Sequence, residues 1–117
     1  MSAFSFSGLK HLENSYVVVM VTTSNKEEAE KIAHCLLDEK LVACANIFGP
    51  VLSLFWWSGK VERADEYVLL MKSRLDLFEK LSETVRALHS YEVPEIIALP
   101  IVKGSKAYME WLDSCLR

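Results

Sequence analysis

Short apolar runs rich in β-branched and aromatic residues predict the strands of this chain. Each is four to eight residues long, which suits a strand and is too short for a helix. Gly49–Pro50 separates two of them, and Ser58–Gly59 marks a turn from which the chain returns through Lys60–Val61. The predicted strands are Tyr16–Thr22, Leu41–Phe48, Val51–Trp57, Tyr67–Lys72 and Glu95–Val102.

Apolar residues spaced three and four apart predict three helices. Ser24 and Asn25 are alternative N-caps for the first, because each has a glutamate three residues later. Ser73 or Asp76 begins the second helix, which ends near His89 because Pro94 disfavours helical geometry before it. Gly104–Ser105 precedes the third. The three stripes are Ala29, Ile32, Ala33, Leu36 and Leu37; Leu77, Leu81, Val85 and Leu88; and Ala107, Tyr108, Trp111, Leu112 and Cys115.

The order of these elements predicts one domain of mixed architecture. Strands joined by hairpins and separated by helices favour an α+β sandwich, a ferredoxin-like βαββαβ unit with an extra C-terminal helix. The domain covers residues 16–117. Residues 1–15 are serine-rich, contain His11, and are predicted to form a flexible N-terminal tail.

The predicted sheet is apolar on both faces, whereas a strand with one wet face alternates apolar and polar residues. Two helices cover only one face, and large exposed apolar patches are rare on soluble monomers. We therefore expect self-association through Phe55, Trp56, Trp57 and Trp111, as a closed ring whose copy number the pattern leaves open. Alternatively, Trp56 and Trp57 pack beneath the third helix of their own chain.

Composition narrows the class of protein. The chain has 117 residues, of which 51% are hydrophobic, so it can form a core and is not disordered. A net charge of −3 argues against nucleic-acid binding, and no apolar run is long enough for a membrane helix. Cys35, Cys44 and Cys115 form no C-x-x-C pair and are expected as small buried hydrophobes in a reducing, cytoplasmic setting.

Several motifs in order resemble the divalent-cation tolerance family, CutA, from about Tyr16 to Arg117. That family is known as homotrimers of ferredoxin-like subunits with no established catalytic reaction, so the resemblance implies a non-enzymatic trimer linked to tolerance of copper and other divalent ions. The matching residues are Glu39–Asn46, Ser53, Trp57–Lys60, Glu66, Lys72, His89–Ile97, Pro100, Gly104 and Tyr108–Leu112.

A metal role transfers to this chain only in part. The resemblance places copper ligands at three positions, but two of them are apolar here, Val21 and Leu88, and only His89 remains. One imidazole needs further donors, for which Cys44, Glu92 and Glu95 are candidates, so no cofactor is obligatory and Cu(II) is expected to bind weakly. The alternative for His89 is a charge role at a helix C-terminus.

Polar residues of the matching motifs define a candidate inter-subunit cleft. These residues either bind a small ligand or lock subunits together through hydrogen bonds and ion pairs. They are Cys44, Trp57, Lys60, Glu66, Lys72, Tyr91, Glu92 and Glu95.

An enzyme on the same fold is a competing interpretation. An acylphosphatase-like hydrolase needs a phosphate cradle and an arginine near the end of the first strand. Residues 22–25 supply hydroxyl groups there but neither a glycine-rich loop nor an arginine. Binding of RNA to the sheet aromatics is disfavoured by the acidic charge balance.

Overall fold

The computed structural model describes residues 15–117, which form a four-stranded antiparallel sheet with three helices. The strand order is β2–β3–β1–β4, and the α+β fold expected from the sequence is confirmed. The predicted tail lies outside the described residues except for Ser15. The elements are β1 Tyr16–Thr23, α1 Lys26–Asp38, β2 Cys44–Trp57, β3 Lys60–Arg74, α2 Phe78–Leu88, β4 Ile96–Pro100 and α3 Lys106–Ser114.

The core lies between one face of the sheet and the helices α1 and α2. Alternate residues of a strand point to the same face, so Val17, Val19 and Val21 of β1 are all buried on this side. The residues that pack with them from the helices include Ile32, Leu36, Leu81 and Val85, as the predicted stripes required.

Helix starts differ in part from prediction. Asn25 is the N-cap of α1, because its side-chain oxygen accepts from the Glu28 backbone N–H at 2.8 Å. Neither proposed cap starts α2, which follows a 3-10 turn at Leu75–Leu77. Ser73 instead lies inside β3, where its buried hydroxyl donates to the Leu41 carbonyl, and Asp76 pairs with Arg74.

The two strands predicted around Gly49–Pro50 are one bent strand. Strand β2 pairs with β3 on both sides of an irregularity between Phe48 and Val51, and only glycine fits at position 49. Its φ is +153°, and a Cβ atom there would lie 2.8 Å from the Glu66 carbonyl oxygen. Glycine next to proline therefore bends a continuous strand here instead of ending it.

Strand β3 is much longer than predicted, and half of it forms an arm. Strand β1 pairs only with Tyr67–Arg74, so residues 51–66 form a two-stranded projection, here called the hairpin arm. Its turn residues, Ser58 and Gly59, both have positive φ, the geometry of a tight type I′ hairpin turn.

The face of the sheet opposite α1 and α2, here called the open face, carries apolar residues. The helix α3 lies at one end of it, where Asp113 contacts Tyr16 and Arg74. Beyond α3, Ile97 and Leu99 of β4 are exposed. The alternative in which Trp56 and Trp57 pack beneath the third helix is wrong, because 74% and 63% of their surfaces are accessible on the arm.

Two further observations correct or complete the composition analysis. All three cysteines are half-buried and unpaired, where full burial was expected. None of the helices in residues 15–117 combines the length and the apolar character that a membrane crossing requires.

Candidate functional site

The first group of predicted site residues meets at the loop that follows α2. Tyr91 donates its hydroxyl hydrogen to Oε2 of Glu66 at 2.8 Å. Glu66 is only 8% exposed although it carries a carboxylate. Burial, followed by this hydrogen bond to Glu66, raises the pKa of Tyr91 to about 12. The pair therefore joins the α2–β4 loop to the base of the hairpin arm.

His89 secures the same loop to β1. Its Nδ1 accepts from the Tyr91 backbone N–H at 3.0 Å, so the ring hydrogen is on Nε2, which donates to the Thr22 carbonyl at 2.7 Å. Glu28 of α1 accepts from both the backbone N–H and the hydroxyl of Ser90. The imidazole is thus a buried link between chain segments.

The metal position expected from the resemblance does not fit these residues. Both ring nitrogens of His89 are used in hydrogen bonds, and Val21 is fully buried in the core. Glu92 and Glu95 are exposed on the loop. Within residues 15–117, no three histidine, cysteine, aspartate or glutamate side chains are grouped closely enough to hold a metal ion.

The second group lies on the open face beside α3. Cys44 and Lys72 are directly opposite each other on paired strands. The Lys72 ammonium donates to Oδ1 of Asn46 at 2.7 Å, and the Cys44 sulfur lies 3.8 Å from the Tyr108 hydroxyl. This contact with Cys44, followed by burial, raises the pKa of the Tyr108 hydroxyl.

The third group consists of Trp57 and Lys60, which are directly opposite each other on the paired strands at the tip of the hairpin arm. A strand rises ~3.3 Å per residue, so Lys60, Glu66 and Lys72 lie roughly 20 Å apart in succession along β3. A single chain therefore does not gather the predicted residues into one cleft.

The sequence analysis missed several residues that hold these groups. Asn46 could have been found, because it lies two residues from Cys44 on the same strand and therefore on the same face. The contacts of Thr22, Glu28 and Tyr108 gave no local signal, since each residue meets its partner across more than sixty residues of sequence.

The end of β1 does not resemble a phosphate cradle. The hydroxyl of Thr23 is buried and donates to the Asn25 backbone carbonyl at 2.8 Å, while the Asn25 side chain caps α1. These polar groups are used to start the helix, so nothing in the described part of β1 and α1 supports the hydrolase alternative.

Comparison with known proteins identifies the family. Residues 17–115 match the family model described as CutA1 divalent ion tolerance protein. A relative from Oryza sativa subsp. japonica, "Protein CutA 1, chloroplastic", is 39% identical over 130 residues, which cover 100% of this chain and 73% of that protein.

Solved structures agree with this match. The crystal structure of CutA1 from Oryza sativa has a TM-score of 0.86 at 43% identity and covers 91% of this chain and 97% of its own. The structure described as the periplasmic divalent cation tolerance protein CutA from Archaeoglobus fulgidus has a TM-score of 0.84 at 42% identity, covering 87% and 99%. The chain belongs to the CutA1 divalent ion tolerance family.

Proposed function

We propose that this chain works as a non-enzymatic homotrimer in the response to divalent metal ions, and that subunit contacts cover the hairpin arm and the open face. The observation that carries this proposal is the hairpin arm itself. A two-stranded hairpin is marginally stable on its own, so an arm rich in exposed apolar side chains needs a partner surface.

Both faces of the hairpin arm contribute to that argument. One face carries four apolar side chains, each with more than half of its surface accessible in the single chain: Leu52, Leu54, Trp56 and Val61. Phe55 and Trp57 are exposed on the other face. Burial of each large aromatic removes roughly 150–250 Å2 of surface from water, which favours association strongly.

A closed ring of subunits can cover both surfaces. The hairpin arm and the open face are different surfaces, and head-to-tail contacts between unlike surfaces form a ring when the rotation between subunits closes. Trp111 of α3, 45% exposed, stands at the border of the open face and belongs to the same proposed interface. The number three comes from the family resemblance.

The proposed assembly also gives the polar site residues a role. Glu66, Tyr91 and Lys72 lie on surfaces next to the arm and the open face, so subunit contact would add partners to them. We assign them, with Cys44, Trp57 and Lys60, mainly to a network that locks subunits together. Glu92 and Glu95 are the exposed carboxylates of this region and the candidates for contact with a small ligand.

Metal binding and location follow the same reasoning. The hydrogen bonds of His89 leave no ring nitrogen for copper, so we propose no resident cofactor and only weak binding of Cu(II).

We propose a cytoplasmic location on the basis of three free thiols. The Oryza relative is named chloroplastic and the Archaeoglobus structure periplasmic.

Native mass spectrometry of the purified protein tests this proposal. We expect a species of three chains, and no stoichiometric copper after addition of Cu(II) and removal of excess ion by buffer exchange. A single-chain mass at micromolar concentration would refute the assembly. Retention of one copper per chain, lost in a His89→Asn variant, would refute the metal assignment. Turnover of acyl or aryl phosphates would refute the non-enzymatic role.

A further inference from the structure

The carboxylate of Glu66 is buried without a positively charged partner from residues 15–117. Only 8% of Glu66 is exposed, and in this part of the chain the Tyr91 hydroxyl is the one group that donates to it, at Oε2. No lysine, arginine or histidine nitrogen of the same residues lies within 4.0 Å of its oxygens. Burial removes water from a carboxylate, which is then stabilised only by new partners. Oε1 of Glu66 is therefore open to a further donor.

The tip of the hairpin arm carries the complementary charge. Lys60 begins β3 there, directly opposite Trp57. Its side chain is 73% exposed, and its ion pair with Glu62, at 3.8 Å, is long and screened by solvent. Alternate residues of a strand share a face, so Lys60 and Glu66 lie on the same face of β3. The tip thus presents an ammonium group beside an aromatic ring.

Lys60 and Glu66 cannot meet within one chain. They are six residues apart on one extended strand, so roughly 20 Å separates them. The other cation of the arm, Arg63, lies on the opposite face of β3, and Lys72 already donates to Asn46. The arm projects beyond the strands that pair with β1, so its tip can reach a second copy.

We propose that Lys60 of each copy pairs with Glu66 of the partner subunit, so that the ammonium group donates to Oε1 and the adjacent Trp57 ring shields the pair from water. This inference rests on the assembly proposed above and adds to it a charge pair that one chain does not complete. Charge complementarity orients the contact, because a basic tip meets an acidic base of the arm. Loss of either partner leaves the other charge uncompensated at the subunit boundary.

A double-mutant cycle in the full chain tests the pair. Lys60→Met removes the positive charge and keeps a long side chain, and Glu66→Gln removes the negative charge but keeps an acceptor for Tyr91. Each single variant should raise the concentration for half-assembly by at least about thirtyfold in sedimentation equilibrium. If the wild type stays assembled on dilution, the variants are compared in urea at one protein concentration. The double variant should assemble at least as well as either single variant, because each substitution alone already removes the pair.

Glu62→Gln is the matched control, because Glu62 is the acid that contacts Lys60 within the chain. We expect it to assemble like the wild type. The proposal is overturned if the single variants assemble like the wild type, if their effects add in the double variant, or if Glu62→Gln weakens assembly as much as Lys60→Met. In each of these cases the wild type is still assembled, so the proposed assembly stands. A wild type with the mass of a single chain would instead refute the assembly, and the charge pair with it.

Discussion

Replacement of Trp56 by threonine tests whether the exposed hairpin arm drives assembly. A tryptophan contributes roughly 200 Å2 of surface that burial can remove. In the single chain 74% of the surface of Trp56 is accessible, so ~150 Å2 remains for a partner to cover. At ~25 cal/mol per Å2 the ring contributes ~3.7 kcal/mol per chain, and threonine keeps only a small part of this.

The expected loss is thus ~3 kcal/mol per chain, which raises the concentration for half-assembly by at least about a hundredfold. Threonine is β-branched and therefore preserves the strand preference at this position. Sedimentation equilibrium, in a dilution series from micromolar to nanomolar, measures the change. Should the wild type stay assembled throughout, the same comparison is made in urea at one protein concentration.

Leu37→Ala is the matched control for this experiment. Leu37 is also an exposed apolar residue, but it lies on α1, on the opposite side of the sheet from the open face. Its dilution curve is expected to match that of the wild type. Identical curves for Trp56→Thr and the wild type would show that the Trp56 ring stays in water in the assembly, and the argument from exposed apolar area would be refuted.

Three further predictions concern stability. His89→Ala removes the donor to the buried Thr22 carbonyl and should lower the free energy of unfolding in urea by about 2–3 kcal/mol. The control is His34→Ala at an exposed position, which should change it by less than about 0.5 kcal/mol. Equal effects would contradict the linking role of His89. Gly49→Ala combines backbone strain with a clash between the new Cβ and the Glu66 carbonyl, so it should lower the melting temperature more than Gly59→Ala. At Gly59 φ is +80°, but nothing lies within 4 Å of the new Cβ. The reverse order would show that β2 does not bend as described. Because the folded pKa of Tyr91 is raised from 10.0 to about 12, its contribution to stability is complete below pH 10 and declines as the pH rises toward 12. Unfolding measured between pH 9 and 12 should therefore depend less steeply on pH in Tyr91→Phe than in the wild type, and parallel slopes would contradict this assignment.

Local pattern was sufficient for much of the fold. The stripe of α1 became the buried face of that helix except at its last member, Leu37, which is exposed, and the valines of β1 became the centre of the core, because periodicity acts within one element. The apolar character of both sheet faces was also readable, since composition along a strand does not depend on which strand it pairs with. These features predicted an α+β domain with an unsatisfied apolar surface.

Only the tertiary structure decided how distant segments meet. Gly49 looked like the end of a strand, but pairing with β3 carries β2 through it, and the same pairing places Trp56 on an arm beyond the reach of α3. The polar residues Glu66 and Lys72 looked like parts of one cleft and lie roughly 20 Å apart along an extended strand. Strand register, the length of the hairpin arm and the hydrogen-bond partners depend on contacts between residues far apart in sequence. Local periodicity therefore does not predict them.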